Sequence, residues 1–257
     1  MGKTIAIGNQ KGGVGKTTTA VNLSACLGAK NKKTLIIDID PQGNTTSGLG
    51  LDPRNLSSSV YDCIINDMPM SEAMVKTEFD NLWICPSNID LAGAELELVG
   101  KADREFLLKE AISEVKDDFD FIIIDCPPSL GLITLNSFAA ADTILVPIQC
   151  EYYALEGLSQ LTNTIRIIKK GINPPLDIEG VLLTMFDART NLSIQVVEEV
   201  KRFFGKKVYG SIIPRSVRLA EAPSFGQPII VYDKNSRGAE SYMELAQEVI
   251  DNNRGVN

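Results

Sequence analysis

The 257 residues carry 25 Lys/Arg against 33 Asp/Glu, a formal net charge of −8, with 44% hydrophobic residues and no histidine. A chain of this length buries a large core without a disulfide or structural metal, and the lack of histidine excludes histidine-based triads and most histidine metal sites. Proton chemistry is left to carboxylates, lysine or water. From the N-terminus, a strand is expected at Thr4–Gly8, then a glycine-rich turn and a helix at Lys16–Ala29. A strand at Thr34–Ile39 follows, Leu51–Met74 shows the least periodicity, and a further strand falls at Leu82–Pro86. A helix at Asp103–Lys116 precedes strands at Phe121–Asp125 and Thr143–Pro147, and a helix at Leu155–Lys170 leads to a strand at Ile178–Met185. The last elements are a helix at Leu192–Phe204, strands at Lys207–Ile213 and Ile229–Val231, and a helix at Arg237–Asn252. In Leu192–Phe204 the stripe Ile194, Val197, Lys201 and Phe204 is the face expected to pack on the sheet.

Strands that alternate with helices, several of them continuous Ile/Val/Leu runs, predict an α/β fold. The expected architecture is a doubly wound, mainly parallel sheet with helices on both faces, formed by residues 1–257 as one domain. Residues 1–7 pass directly into a strand, which leaves no room for a signal peptide, and no apolar run approaches the roughly 18 residues of a membrane span; a cytoplasmic protein is expected. Cys26, Cys63, Cys85, Cys126 and Cys150 lack CxxC spacing and are read as buried reduced thiols.

Charge is uneven. Residues 1–160 hold 12 Lys/Arg against 22 Asp/Glu and residues 161–257 hold 13 against 11, so a local basic surface is possible in the second half although the whole chain is acidic.

Lys11-Gly12-Gly13-Val14-Gly15-Lys16-Thr17-Thr18 lies between the first strand and the first helix. Glycines there let successive backbone N–H groups converge on an anion, and the helix N-terminus adds partial positive charge. Lys16 is placed to reach β- and γ-phosphates and the Thr17 hydroxyl to ligate Mg²⁺. The strict pattern GxxxxGK[ST] needs glycine at position 10, where this chain has Gln10, and Lys11 is a second lysine ahead of the double glycine. Two apolar strands then deliver carboxylates at their C-terminal ends, where open α/β sheets bind ligands. These are Leu35-Ile36-Ile37-Asp38-Ile39-Asp40-Pro41-Gln42-Gly43-Asn44 and Phe121-Ile122-Ile123-Ile124-Asp125-Cys126-Pro127-Pro128. Two residues apart, Asp38 and Asp40 point to one side for as long as the strand continues.

The loop resembles the KGGxGKT signature of the ParA/MinD group, the deviant Walker A P-loop ATPases. The resemblance extends from Lys3 to about Ala246. It implies an ATPase using ATP or ADP with Mg²⁺, in which Lys11 reaches phosphates bound by the other subunit of an ATP-dependent, nucleotide-sandwich homodimer. Lys16 is implied as the second catalytic lysine, and residues 11–18 as the phosphate cradle. The D-x-D-P-Q-G-N segment is similar to the family's switch I, which gives Asp40 the attacking water and Asp38 a place in the outer shell of Mg²⁺. Asp125 is similar to the Walker B aspartate, with residues 127–131 resembling switch II. By the same resemblance Met185 and the segment Pro214, Arg215 and Ser216 flank adenine.

The runs around residues 187–192 and 214–224 resemble the chromosomal ParA branch called Soj more closely than MinD. That branch implies non-specific double-stranded DNA binding by the ATP dimer, with Arg189 and Arg218 as first candidates and Lys201, Arg202, Lys206, Lys207 and Arg237 behind them. It also implies a ParB-type centromere-binding partner, DNA partition as the function, whether of chromosome or plasmid, and association with the nucleoid. The alternative, a MinD-like membrane-surface switch, would need a basic amphipathic C-terminal helix, whereas Glu244 to Asp251 is acidic.

Overall fold

A computed structural model describes residues 2–151 and 154–254, with side chains at 154–161 left aside. The first half runs β1 (Lys3–Ile7), α1 (Lys16–Ala29), β2 (Thr34–Asp38), α2 (Asn44–Gly48), α3 (Val60–Ile65), α4 (Met70–Ala73), β3 (Val75–Lys76), β4 (Leu82–Cys85) and α5 (Leu91–Leu98). The middle comprises α6 (Leu107–Ser113), β5 (Phe121–Asp125), α7 (Leu132–Ala140), β6 (Thr143–Gln149) and α8 (Ala154–Gly171). The last part comprises β7 (Asp177–Phe186), α9 (Asn191–Phe204), β8 (Val208–Pro214), α10 (Val217–Glu221), α11 (Ile229–Tyr232) and α12 (Arg237–Asn252).

The eight strands form one sheet in the order β3-β4-β2-β5-β1-β6-β7-β8. Every pairing is parallel except β3 with β4. The chain winds outward from β1 through β2 and β4, returns through β5, and then crosses to β6, β7 and β8. That reversal puts the end of β1 at the switch point of the winding, where the ends of neighbouring strands diverge and leave room for a ligand.

Alternation along each strand sends side chains to two separate cores. Ile122 and Ile124 join Leu35, Ile37, Ile144 and Val146 on the face covered by α3, α5, α6, α7, α8 and α9. Ile123 joins Ile5, Ile7, Ile36, Ile84 and Leu182 on the face covered by α1 and α12. Each fully buried Ile or Leu contributes on the order of 1.5–3 kcal/mol, so a strand apolar on both faces is held twice. All five cysteines are free and buried within these layers.

Several expected elements are corrected. Ile229–Val231 is not a strand but part of the helical turn Ile229–Tyr232. Pro228 precedes it, and the Ile229 N–H is taken at 2.6 Å by the Asn22 side chain rather than by a neighbouring strand; a three-residue apolar run carries no period to separate the two states. The helix expected at Asp103–Lys116 is only Leu107–Ser113, because Asp103 adopts a left-handed φ of 48° that interrupts a helix. On α9 the buried residues are Ser193, Val196 and Val200, and Ile194 is 42% exposed. The face that packs is one position removed from the expected stripe, which shares with it Val197 and Phe204 at its border.

Candidate functional site

The loop after β1 is bare backbone held from behind. Gly13 and Gly15 have φ of 73° and 88°, a region closed to most side chains, and nothing lies within 4 Å of where a Cβ would stand at Gly12 or Gly13. At its rear, the Asn9 amide donates to the Pro147 carbonyl at 2.8 Å and accepts from Lys11 N–H at 3.0 Å. Gln10 donates to the Thr164 hydroxyl on α8 at 2.9 Å, and the Thr184 hydroxyl of β7 donates to the Val14 carbonyl at 2.8 Å. Three parts of the protein remote in sequence therefore fix one turn.

Helix α1 begins without a side-chain cap and without an acidic residue in its first turn. Its leading N–H groups are available to an external anion, which is the arrangement that binds phosphate. Lys16 is 7% exposed and its ammonium donates to the Lys11 carbonyl at 3.2 Å. Burial lowers its pKa, opposed by the negative potential of Asp125, Cys126 and Asp40. Lys11 is half-buried, and among the described residues no carboxylate pairs with its ammonium.

Sheet register brings the two strand-end aspartates side by side. Asp38 and Asp125 are paired positions at the ends of β2 and β5, and Ile7 at the end of β1 is level with Asp125 on its other side. Both carboxylates are fully buried. Asp125 Oδ2 accepts from the hydroxyls of Thr17 and Thr45, each at 2.8 Å, while its Oδ1 is buried with no partner among the described residues. Burial pushes its carboxyl up to about 6 against the hydrogen bonds of Thr45 and Thr17. Asp38 is pushed up to about 7, by burial first and then by the Asp125 charge, opposed by Thr46 and by the Asp40 N–H. Such a pair gains from a cation.

No group of three acidic, cysteine or histidine side chains among the described residues is placed to hold a metal alone. One or two carboxylates with a hydroxyl suit Mg²⁺, which takes its remaining ligands from phosphate and water. Asp125, whose Oδ2 accepts from the Thr17 hydroxyl and whose Oδ1 has no partner among the described residues, fits that demand.

Asp38 and Asp40 are not on one face of a continuing strand. β2 stops at Asp38, and Asp40 stands in the following turn, half-buried, its N–H donating to Asp38 Oδ1 at 3.2 Å and its carboxylate accepting from Gln42 N–H at 3.0 Å. Neighbouring carboxylates are thus separated by a turn rather than stacked. Val14 is buried, and Thr17 and Thr18 half-buried at the start of α1.

The remaining candidates lie around β7 and β8. Met185 is half-buried near the end of β7, with φ of 52°, a conformation that is strained for a residue with a Cβ and that concentrates at functional sites. Arg215 N–H donates to the Phe186 carbonyl at 3.0 Å, which brings Pro214, Arg215 and Ser216 beside it, and the Arg215 side chain pairs with Glu151 at 2.9 Å. A cavity of about 270 Å³ beside α1 is lined by Thr17, Thr18, Asn22, Asn44, Pro223 and Gln227 among others, and by none of these four. Arg189 and Arg218 follow the same strands on the same edge, paired with Asp187 at 2.7 Å and with Glu221 at 3.1 Å. Lys206 and Lys207 precede β8 and so sit at the opposite edge, where Lys207 pairs with Asp177 at 3.1 Å.

That opposite edge holds a wider cleft of about 880 Å³, with Lys3, Lys30, Lys32, Lys109, Lys116 and Arg254 among its lining. The C-termini of α1, α7 and α12 open there, and lysines offset their partial negative charge. The cleft is accounted for without a ligand.

Sequence reasoning passed over Thr45, Thr46, Ser87, Asn22 and Thr184. Thr45 and Thr46 directly follow the D-x-D-P-Q-G-N run, so their position was a usable signal; Asn22, Ser87 and Thr184 reach the site only through the fold.

A family model described as an AAA domain matches residues 2–178. The chain is 59% identical over 252 residues to the sporulation initiation inhibitor protein Soj of Bacillus subtilis, covering 98% of this chain and all of that protein. It is 55% identical to the chromosome partitioning protein ParA of Myxococcus xanthus, covering 97% and 88% of the two chains. The chain belongs to the ParA/Soj family of P-loop ATPases. Among solved structures, a cobyrinic acid a,c-diamide synthase from Mycobacterium smegmatis with bound ADP and magnesium superposes with a TM-score of 0.88 at 38% identity, covering 100% and 97% of the chains. The fold expected from the sequence, a mainly parallel P-loop sheet with helices on both faces, is the one observed. As a member of this family the chain is an ATPase.

Proposed function

We propose that this chain partitions DNA: it binds ATP with Mg²⁺, forms a nucleotide-sandwich homodimer, binds double-stranded DNA without sequence preference in that state, and hydrolyses ATP when a ParB-type protein stimulates it. Residues 1–257 act as one unit, cytoplasmic and bound to the nucleoid when ATP is present. Backbone N–H groups of residues 11–18 cradle the phosphates, with Lys16 supplying charge from within the subunit and Lys11 from its partner. Thr17 and Asp125 hold Mg²⁺ with Asp38 behind them, Asp40 orients the attacking water, and Met185 and residues 214–216 flank adenine. Arg189 and Arg218 contribute to a DNA surface that dimerisation doubles.

The observation that carries this reading is the phosphate loop, where an uncapped helix and a buried Lys16 sit beside Asp125 while the Lys11 ammonium has no carboxylate partner among the described residues. Hydrolysis of ATP depends on positioning and charge rather than on a strong base, and a second lysine from a partner supplies charge only once the dimer forms. Acidity of the monomer is no obstacle, because DNA affinity rises steeply with the number of phosphates neutralised.

The test is DNA retention measured with ATP, with ADP and without nucleotide, for wild type, Lys16→Ala and Asp40→Ala. ATP-dependent binding is expected for wild type and Asp40→Ala, and none for Lys16→Ala. Equal retention in every nucleotide state rejects the proposal, and binding to anionic vesicles in place of DNA would favour a membrane-surface switch.

A further inference from the structure

Two adjacent threonines on the first turn of α2 divide the buried aspartates between them. Thr45 donates its hydroxyl to Asp125 Oδ2 at 2.8 Å. Thr46 donates both its N–H and its hydroxyl to Asp38 Oδ2, at 2.8 and 2.7 Å, and its hydroxyl oxygen accepts from Ser87 N–H at 3.0 Å. All of Thr45, Thr46, Ser87, Asp38 and Asp125 are fully buried.

This places the loop between β2 and α2 under constraint at both ends. On the strand side Asp38 Oδ1 accepts from Asp40 N–H, and within the loop Gly43 N–H donates to the Asp40 carbonyl at 2.9 Å. On the helix side α2 is held to β5 by Thr45 and to the β4 end by Thr46. Thr17 and Thr45 converge on one oxygen of Asp125 from opposite motifs, so the carboxylate cannot rotate without breaking both bonds, and its other oxygen stays free and buried. With a single donor the carboxylate torsion is broad and roughly two-fold.

We propose that Thr45 is a positioning residue, whose hydroxyl fixes the free oxygen of Asp125 toward the metal and in the same contact anchors the loop that carries Asp40. The proposal rests on the assignment of Thr17 and Asp125 to Mg²⁺. It makes the phosphate loop, switch I and the Walker B strand share one carboxylate oxygen, so a change at any of them is felt by the other two.

The test compares wild type, Thr45→Val, Thr45→Ala and Thr45→Ser for ADP affinity with and without Mg²⁺, and for hydrogen exchange of the peptide covering residues 39–44. Removing a group that orients a metal ligand weakens metal affinity by roughly 10–100-fold. The gain in ADP affinity on adding Mg²⁺ is therefore expected to shrink by about 10-fold or more in Thr45→Val and Thr45→Ala. ADP binding without Mg²⁺ should be unchanged, and residues 39–44 should exchange faster. Thr45→Ser keeps the hydroxyl and should match wild type in both measurements. A wild-type Mg²⁺ gain in both hydroxyl-free variants overturns the proposal. So does a Thr45→Ser variant as impaired as Thr45→Val, which would assign the effect to the methyl group, or an equal loss of affinity with and without Mg²⁺. If wild-type ADP affinity does not respond to Mg²⁺, the metal assignment fails first, and the variants are not needed to show it.

Discussion

At the ends of β2 and β5 the Asp38 and Asp125 carboxylates are buried and joined to Thr17, Thr45 and Thr46 by hydrogen bonds of 2.7 to 2.8 Å, whereas after β7 and β8 Arg189 and Arg218 are 87% and 57% exposed and held by ion pairs. Both groups lie along the same edge of one sheet. The first is rigid because stabilising charge in a transferring phosphoryl group requires groups that do not reorganise during the reaction. The second is solvated, where an ion pair contributes little, so Asp187, Glu221 and Asp233, which also pairs with Arg218 at 3.5 Å, can release their arginines to a polyanion at small cost. Chemistry has been placed where the protein is stiff, and the proposed DNA contacts where it is loose.

That contrast can be broken by mutation. The largest effect is expected from Lys16→Ala, which should lower steady-state ATP turnover by roughly 100-fold or more and abolish the proposed ATP-dependent dimerisation, measured by light scattering. Asp40→Ala comes next: turnover should fall by about 100-fold while ATP affinity, measured by calorimetry, stays near wild type, because the role proposed for the group is on water rather than on the nucleotide.

Asn22→Ala tests the rigid half through stability. Its amide bridges the Thr18 carbonyl at 2.7 Å and the buried Ile229 N–H at 2.6 Å, and leaving those unpaired should cost about 1–3 kcal/mol in chemical denaturation. The smallest effects belong to the loose half. Arg189→Ala and Arg218→Ala should leave the chemical-denaturation midpoint near that of wild type. Each should lower the slope of DNA affinity against salt by about 1 for every phosphate contact removed. A large stability loss in either arginine variant would erase the distinction between the two halves.

In the rigid half Lys16, Thr17, Asp38 and Asp125 were legible beforehand, since apolar runs ending in aspartate and a glycine-lysine turn announce themselves locally, whereas Thr45, Thr46 and Ser87 were not. Asp38, Asp125, Lys16 and Thr17 come together as those patterns imply. Less legible was the geometry between Asp38 and Asp40, because nothing in Leu35–Asp40 says where the strand stops; the Asp40 N–H turning onto Asp38 decides it. Short helices such as α2, α3 and α4 escaped because four to six residues make one turn or a little more, too few for the helical period to repeat. The misplaced stripe on α9 has a related cause: Ser193 is small and polar, yet it is buried because its hydroxyl donates to the Cys150 carbonyl at 3.2 Å.

Sequence by itself determined the layer architecture, the phosphate loop and the identity of the two strand-end carboxylates, because strand period and glycine-rich turns are properties of neighbouring residues. Only the tertiary structure decided that Asp38 and Asp125 stand side by side, that Thr45 and Thr46 hold one each, and that Thr164 and Thr184 brace the loop from behind. Apart from Thr46 on Asp38, which closes a single loop, those contacts join residues 80 or more positions apart, and strand order and register, which no local pattern encodes, bring them together.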